Sequence, residues 1–254
     1  MDLIIDAAPM AIGLFAAMLF SFEIGHRLGL RFGSQEDAAG GSGVVDGAIF
    51  GLLGLLIAFT FSGAATRFDE RRKLILDEAN TISTAYARID LLPASVQPSM
   101  RDLFRRYVDT RLAAYRALPD LNAAQAGLDR ADALQREIWS TGVTAAAGSQ
   151  PATMLLLPAV NSMGDIATSR TAAGRMHPPT VIFALLFGLA LLSALLAGRA
   201  MASRAGRRWL HTFVYALAMT GAVYVIVDIE FPRFGIIRVD GFDQLLVDVR
   251  QTMK

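Results

Sequence analysis

Residues 47–92 read GAIFGLLGLLIAFTFSGAATRFDERRKLILDEANTISTAYARIDLL. Gly47 to Ala65 holds no charge, and a hydrocarbon core is crossed by roughly 17 to 25 mostly apolar helical residues. No Gly or Pro interrupts Ala64 to Leu92, and Phe61, Phe68, Ile75, Ile82 and Ile89 recur at a helical spacing, with Phe50 and Ile57 upstream. The pattern predicts one helix that leaves a bilayer and continues beyond it, burying this stripe in a helical bundle.

Three further windows pass the same test. Leu3 to Phe22 is apolar apart from Asp6, Thr180 to Gly198 has no charge, and Leu210 to Val227 carries only His211. The start MDLIID is acidic, so the first window reads as a membrane helix and not as a signal peptide, whose leading residues are basic. Asp6 and Asp46 precede or open helices, where the positive dipole end favours a carboxylate. Four spans explain why 54% of the chain is hydrophobic and 19% charged, more apolar than soluble domains usually are.

Between the second and third windows, prolines at 93, 119, 151, 178 and 179 divide the chain into helices near 64–92, 96–118, 122–148 and 151–176. No alternation long enough for a sheet occurs. The expected fold is all-α: four membrane helices with a helical extramembrane domain between the second and third. Its segments are 1–65 (spans near 3–22 and 47–65), 66–179 (the domain) and 180–254 (spans near 180–198 and 210–227 with a short tail).

The second span has two informative faces at about 100° per residue. Gly47, Gly51, Gly54, Ala58, Ser62 and Ala65 form a narrow stripe of small side chains, suited to close approach of another helix. That helix belongs to a second subunit or to the same chain. The opposite face carries Ile49, Leu53, Leu56, Thr60, Arg67, Arg71 and Glu78. Apolar inside the membrane and charged beyond it is the order of a pore-lining helix, and equally that of a lipid-facing helix with interfacial arginines. On the pore reading, Leu53, Leu56, Ile57, Thr60 and Phe61 form the neck and Arg67, Arg71 and Glu78 the charged mouth.

Little in the sequence points to catalysis. With no cysteine, thiolate chemistry and Cys-ligated metals are excluded. His26, His177 and His211 lie far apart, so neither a metal nor another cofactor is expected. The loop at 36–45 holds GGSG ahead of a membrane helix, the wrong context for a phosphate loop. Asp69-Glu70 and Asp77-Glu78 are adjacent, and adjacent carboxylates diverge on a helix; Asp69 with Lys73 is the simpler pairing. Asp228 and Glu230 are ion-site candidates if intramembrane, but Phe231-Pro232-Arg233 follows at once and sets them at the interface. A net charge of +1 gives no reason to expect nucleic acid.

Orientation is balanced. Arg27, Arg31, Arg199, Arg204, Arg207 and Arg208 occupy the short loops, while Arg67, Arg71, Arg72, Lys73, Arg170, Arg175, Arg233 and Arg238 flank the spans on the other side. An even number of spans places both termini on the domain's side.

The pieces RFDERR, EAN and ARIDLLP within 58–93, and VDIEFPRFGIIRV at 227–239, resemble the motifs of the bestrophin-like domain family of bacterial and plant membrane proteins. Thr81 and Ser83 stand where Ala and Gly are more usual, and Glu230-Phe231 where Asp-Arg is commoner. The resemblance implies distant kinship to bestrophins, pentameric ion channels whose second membrane helix lines a hydrophobic neck and whose helical domain is cytosolic. It thereby implies a homo-oligomer passing small ions, in a bacterial inner membrane, with the domain and both termini cytoplasmic. The competing reading is a membrane-anchored helical-bundle sensor or scaffold, which suits the opposite orientation.

Overall fold

The computed structural model describes residues 7–36, 42–202 and 209–253, and every regular element among them is helical. Residues 37–41 of the glycine-rich loop and Arg204, Arg207 and Arg208 lie outside the described residues. The helices are α1 (Ala7–Glu36), α2 (Ser42–Ala87), α3 (Gln97–Arg116), α4 (Leu121–Ala146), α5 (Leu157–Arg175), α6 (Thr180–Ala200), α7 (Trp209–Glu230) and α8 (Gln244–Thr252). As its unbroken sequence requires, α2 runs for 46 residues without a kink-forming residue past Ser62-Gly63. It tightens into a 3-10 turn at Arg88–Leu91 just before Pro93.

The chain divides into two compact units, Met1–Thr66 with His177–Ile237 and Arg67–Met176 with Arg238–Lys254. In the first, α1 lies along α6 at backbone contact distance. A Cβ on Gly25 would overlap the Leu195 carbonyl, and one on Gly198 would overlap the Phe22 carbonyl. Glycine is required at both places for this approach, which is how helices gain dispersion contacts where lipid removes the hydrophobic drive. Met18, Leu186, Ala190 and Val223 are fully buried between α1, α6 and α7. Inside the same unit the Tyr215 hydroxyl donates to Ser193 Oγ at 2.6 Å, and Ser193 donates to the Ala190 carbonyl at 2.8 Å, so both hydroxyls are satisfied.

The outer faces of these helices remain apolar. Ile12, Phe20, Phe59, Val181, Leu210 and Leu217 are exposed. All four of α1, α2, α6 and α7 are long and apolar enough to cross a membrane, and side chains of this kind on every one of them match a lipid-facing surface.

The second unit packs the C-terminal half of α2 with α3, α4 and α5 around Ile82, Ile89, Phe104, Tyr107, Ile138, Leu156 and Met163. Its helix boundaries follow local chemistry. Asp120 caps α4 by accepting from the Ala123 backbone N–H at 3.0 Å. A π-helical turn, Ala152–Leu156, leads into α5. Residues 238–254, grouped by sequence with the last two spans, belong to this unit instead: Leu246 of α8 and Met253 just after it enter its core. Arg250 clasps Asp109 of α3 with both Nε (2.8 Å) and Nη2 (3.0 Å). The tail is short but amphipathic, and its apolar side completes the core.

Candidate functional site

The two faces of α2 are used differently from the way their composition suggests. Leu53, Ala64, Arg71, Ile75, Glu78, Ile82, Ala85 and Ile89 are buried and fall on one side of the helix at about 100° per residue. The small-residue side is open. Gly47, Gly51, Gly54, Ala58 and Ser62 are exposed, and a Cβ on any of the three glycines would meet no atom within 4 Å. Of the two partners considered for the stripe, a neighbouring helix of the same chain is therefore excluded among the described residues.

The same geometry corrects the pore assignment. Leu53, 1% exposed, turns into its own chain and does not line an open path. Arg71 and Glu78 are not mouth charges either, because both side chains lie inside the helical unit. Leu56, Ile57, Thr60 and Arg67 are half-buried. Thr60 directs its hydroxyl to the Leu56 and Ile57 carbonyls of its own helix, at 2.7 and 3.1 Å. Phe61 is 45% exposed although Ile75, Ile82 and Ile89 of the same seven-residue series are buried. A straight helix drifts about 20° per heptad, so the series rotates from the open side at Phe61 into the core by Ile75.

What Arg71 does is local. Its Nε donates to the Ala173 carbonyl at 3.1 Å and its Nη2 to the Met176 carbonyl at 3.0 Å. Those carbonyls end α5 and have no helical partner, and a cation at that end also complements the helix dipole. Its neighbour Arg72 pairs with Asp69 at 3.1 Å and lies over the Phe242 ring at 4.4 Å. Asp69 therefore takes Arg72, where the sequence suggested Lys73.

Glu78 is the centre of a buried charge cluster. Its Oε1 accepts from Arg111 Nε at 2.7 Å and its Oε2 from Arg170 Nη1 at 2.5 Å. Arg170 also donates to Asp243 Oδ1 at 2.5 Å. Tyr115 stacks under the Arg170 guanidinium at 3.8 Å and accepts from Arg111 through its hydroxyl. Two guanidinium groups and two carboxylates balance, which is what allows Glu78, Arg111 and Arg170 to be at most 5% exposed at the side chain. Burial works against both arginine charges, but Glu78 and Tyr115 outweigh it, and both are held above the ordinary arginine range. The cluster joins α2, α3, α5 and the segment before α8, so it fixes the register of the bundle.

A second anchor lies at the end of α7. Asp228 and Glu230 are completely buried. Asp228 accepts from the backbone N–H of Ile236 at 3.0 Å and of Ile237 at 2.7 Å. Glu230 lies 3.0 Å from His177 Nδ1, and the imidazole stacks on Phe231 with centroids 4.5 Å apart. These carboxylates shape the turn that follows α7 and tie it to the chain entering α6.

Arg111, Arg170, Tyr115 and Asp243 were not singled out from the sequence, though a signal existed. Arg111 continues the α3 stripe Met100, Phe104, Tyr107, and Arg170 continues the α5 stripe Val160, Met163, Ala167. A charge on an apolar stripe must find a buried partner, and each of these finds Glu78.

A family model, the Bestrophin-like domain, matches residues 11–241. No curated protein and no solved structure matches the chain.

Proposed function

This chain belongs to the bestrophin-like domain family of integral membrane proteins, and from that premise we propose that it is one protomer of a homo-oligomeric ion channel with α2 nearest the symmetry axis. The observation that carries the reading is the open side of α2. Its apolar window is 6% buried, against 22%, 39% and 44% for the other three, so α2 is the span left for other subunits. Gly47, Gly51, Gly54, Ala58 and Ser62 supply the close helix contact, in the manner of small-residue stripes in membranes.

Around an axis, the flank beside that stripe then faces the path. Ile57 and Phe61 lie there and form the hydrophobic constriction. Leu56 and Thr60 sit farther back and support it. Kinship to bestrophins favours a pentamer with the helical unit in the cytoplasm, in a bacterial inner membrane. The role needs no catalytic group or cofactor; its partners are lipid, other copies of the chain and small ions.

Purified protein reconstituted in a planar bilayer should pass current, and Phe61→Ala or Ile57→Ala should raise the single-channel conductance. Native mass spectrometry should find one closed oligomer. A monomer that conducts nothing in nanodiscs ends the reading.

A further inference from the structure

A groove of about 300 Å³ runs along the helical unit where the last turns of α2 face the start of α5. Pro158 and Ala159 of α5 line its apolar part, and Asn80, Thr84, Arg88 and Ser162 supply its polar groups. We propose that this groove binds a small ligand through an oxyanion, a carboxylate or a phosphate, held by Arg88.

The charge arrangement carries the argument. Arg72, Arg101, Arg111, Arg170 and Arg250 of the same unit each pair with a carboxylate. Among the described residues Arg88 has none; Arg106, Arg116, Arg130 and Arg136 also show none, but they are exposed, whereas Arg88 is half-buried and lines the groove. Its Nη1 donates at 2.7 Å to the Leu155 carbonyl, which belongs to the π-helical turn Ala152–Leu156. The guanidinium is thus positioned by one of its five N–H groups, leaving the others for a ligand. A π-turn inside a helical segment is a feature enriched at functional sites, and here it supplies the oxygen that orients the cation.

The other polar groups are matched to the same ligand. Thr81, which also borders the groove, gives its hydroxyl to the Asp77 and Glu78 carbonyls of its own helix, at 2.9 and 3.0 Å. The Asn80 amide and the Thr84 and Ser162 hydroxyls make no side-chain hydrogen bond within the described residues, so three neutral donors accompany the guanidinium. No carboxylate lines the groove; Asp77 lies one turn back along α2, outside it. A carboxylate-free pocket with one poised guanidinium and several free donors selects an oxyanion, since charge-assisted bonds to a planar fork are the strongest available there. The volume is at the lower end of small-molecule sites. The groove lies wholly within the second unit, so the inference stands or falls independently of channel activity.

The test uses the purified full-length chain in detergent and isothermal titration calorimetry, with inorganic phosphate and acetate as separate titrants in a chloride buffer. At least one should bind saturably, and the stronger of the two names the ligand class. Arg88→Gln should weaken it about tenfold or more, the loss of one charge-assisted bond, and Arg88→Lys should fall between. Ser162→Leu fills the groove without touching the bond to Leu155, and should abolish binding; it decides the matter if Arg88→Gln does not fold. Arg136→Gln, exposed on α4, should change nothing. Saturation by neither anion, or equal losses in Arg88→Gln and Arg136→Gln, overturns the proposal.

Discussion

Gly235 lies against Asp228 so closely that a Cβ at position 235 would occupy the place of the Asp228 carboxylate. The contact exists because Asp228 reaches past Gly235 to accept the Ile236 and Ile237 backbone N–H groups. A buried carboxylate on an apolar helix end is tolerable only with such donors. Gly235→Ala must therefore displace either the carboxylate or the turn. We expect a loss of about 2 to 4 kcal/mol, from overpacking plus weakened charge-assisted bonds, read as a lowered melting temperature in detergent. Gly241→Ala, where a Cβ meets nothing within 4 Å, should melt like the parent. Equal melting of all three would show that the turn yields freely.

Glu78→Gln keeps the size of the side chain and removes the charge between Arg111 and Arg170. Both guanidinium groups would then lie buried beside a neutral amide, and breaking a buried pair by neutralising one partner costs about 3 to 5 kcal/mol. By contrast, Asp69→Asn at the exposed Asp69–Arg72 pair should cost less than about 1 kcal/mol. Urea denaturation followed by far-ultraviolet circular dichroism separates the two. A Glu78→Gln loss no larger than that of Asp69→Asn would mean the cluster contributes nothing to stability.

These two anchors also mark how far the sequence could be read. Span number and the length of α2 follow from charge-free windows and a missing breaker, which are local properties. The bundle helices follow from proline positions for the same reason. Which side of α2 is covered is not local. Leu53, Arg71 and Glu78 sit opposite the glycines, and the apolar-then-charged order along that side fits a path for ions and a lipid-facing helix equally well. Its neighbours Ile75, Ile82 and Ala85 on the same stripe carry the contrary signal, that the charges are inside a core. The partners of Glu78, Arg111 and Arg170, are 33 and 92 residues away, a separation that helical periodicity does not reach. The glycines that pack within the chain, Gly25 and Gly198, carry no such signal, because they sit at or beyond the ends of the apolar windows, close to Arg27 and Arg199.

Tyr107 is 1% exposed and its hydroxyl has no hydrogen-bond partner among the described residues. Burial pushes its pKa well up; Arg111 opposes this, and Glu78 adds to it. The phenol therefore stays neutral in the folded protein at a pH where the unfolded chain, with an ordinary tyrosine near 10, has begun to lose its proton. The folded state then binds more protons than the unfolded one, so stability is fully present below about pH 10 and falls as pH rises above it. Tyr107→Phe removes this dependence and also an unsatisfied buried group, so below pH 10 the variant should be as stable as the parent or more so. Melting temperatures at pH 8 and pH 10.5 test this. A Tyr107→Phe protein that is much less stable at pH 8 would mean that the hydroxyl is hydrogen-bonded after all.

The glycines of the membrane helices fall into two sets with opposite expected behaviour. At Gly25 and Gly198 a side chain would collide with the backbone of the facing helix. At Gly51 and Gly54 it would meet no atom within 4 Å among the described residues. Gly198→Leu should therefore separate α1 from α6 and lose the folded protomer, seen as aggregation or a lowered melting temperature. Gly51→Leu and Gly54→Leu should leave the protomer intact, and leucine also favours helix over glycine by up to about 1 kcal/mol. Yet if α2 meets other subunits through this stripe, the added isobutyl groups hold the backbones apart and remove the close contact that joins them. Native mass spectrometry should then show the oligomer replaced by folded monomer for Gly51→Leu and Gly54→Leu. An unchanged oligomer carrying both substitutions would move the subunit contact off α2, and with it the axis and the constriction at Ile57 and Phe61.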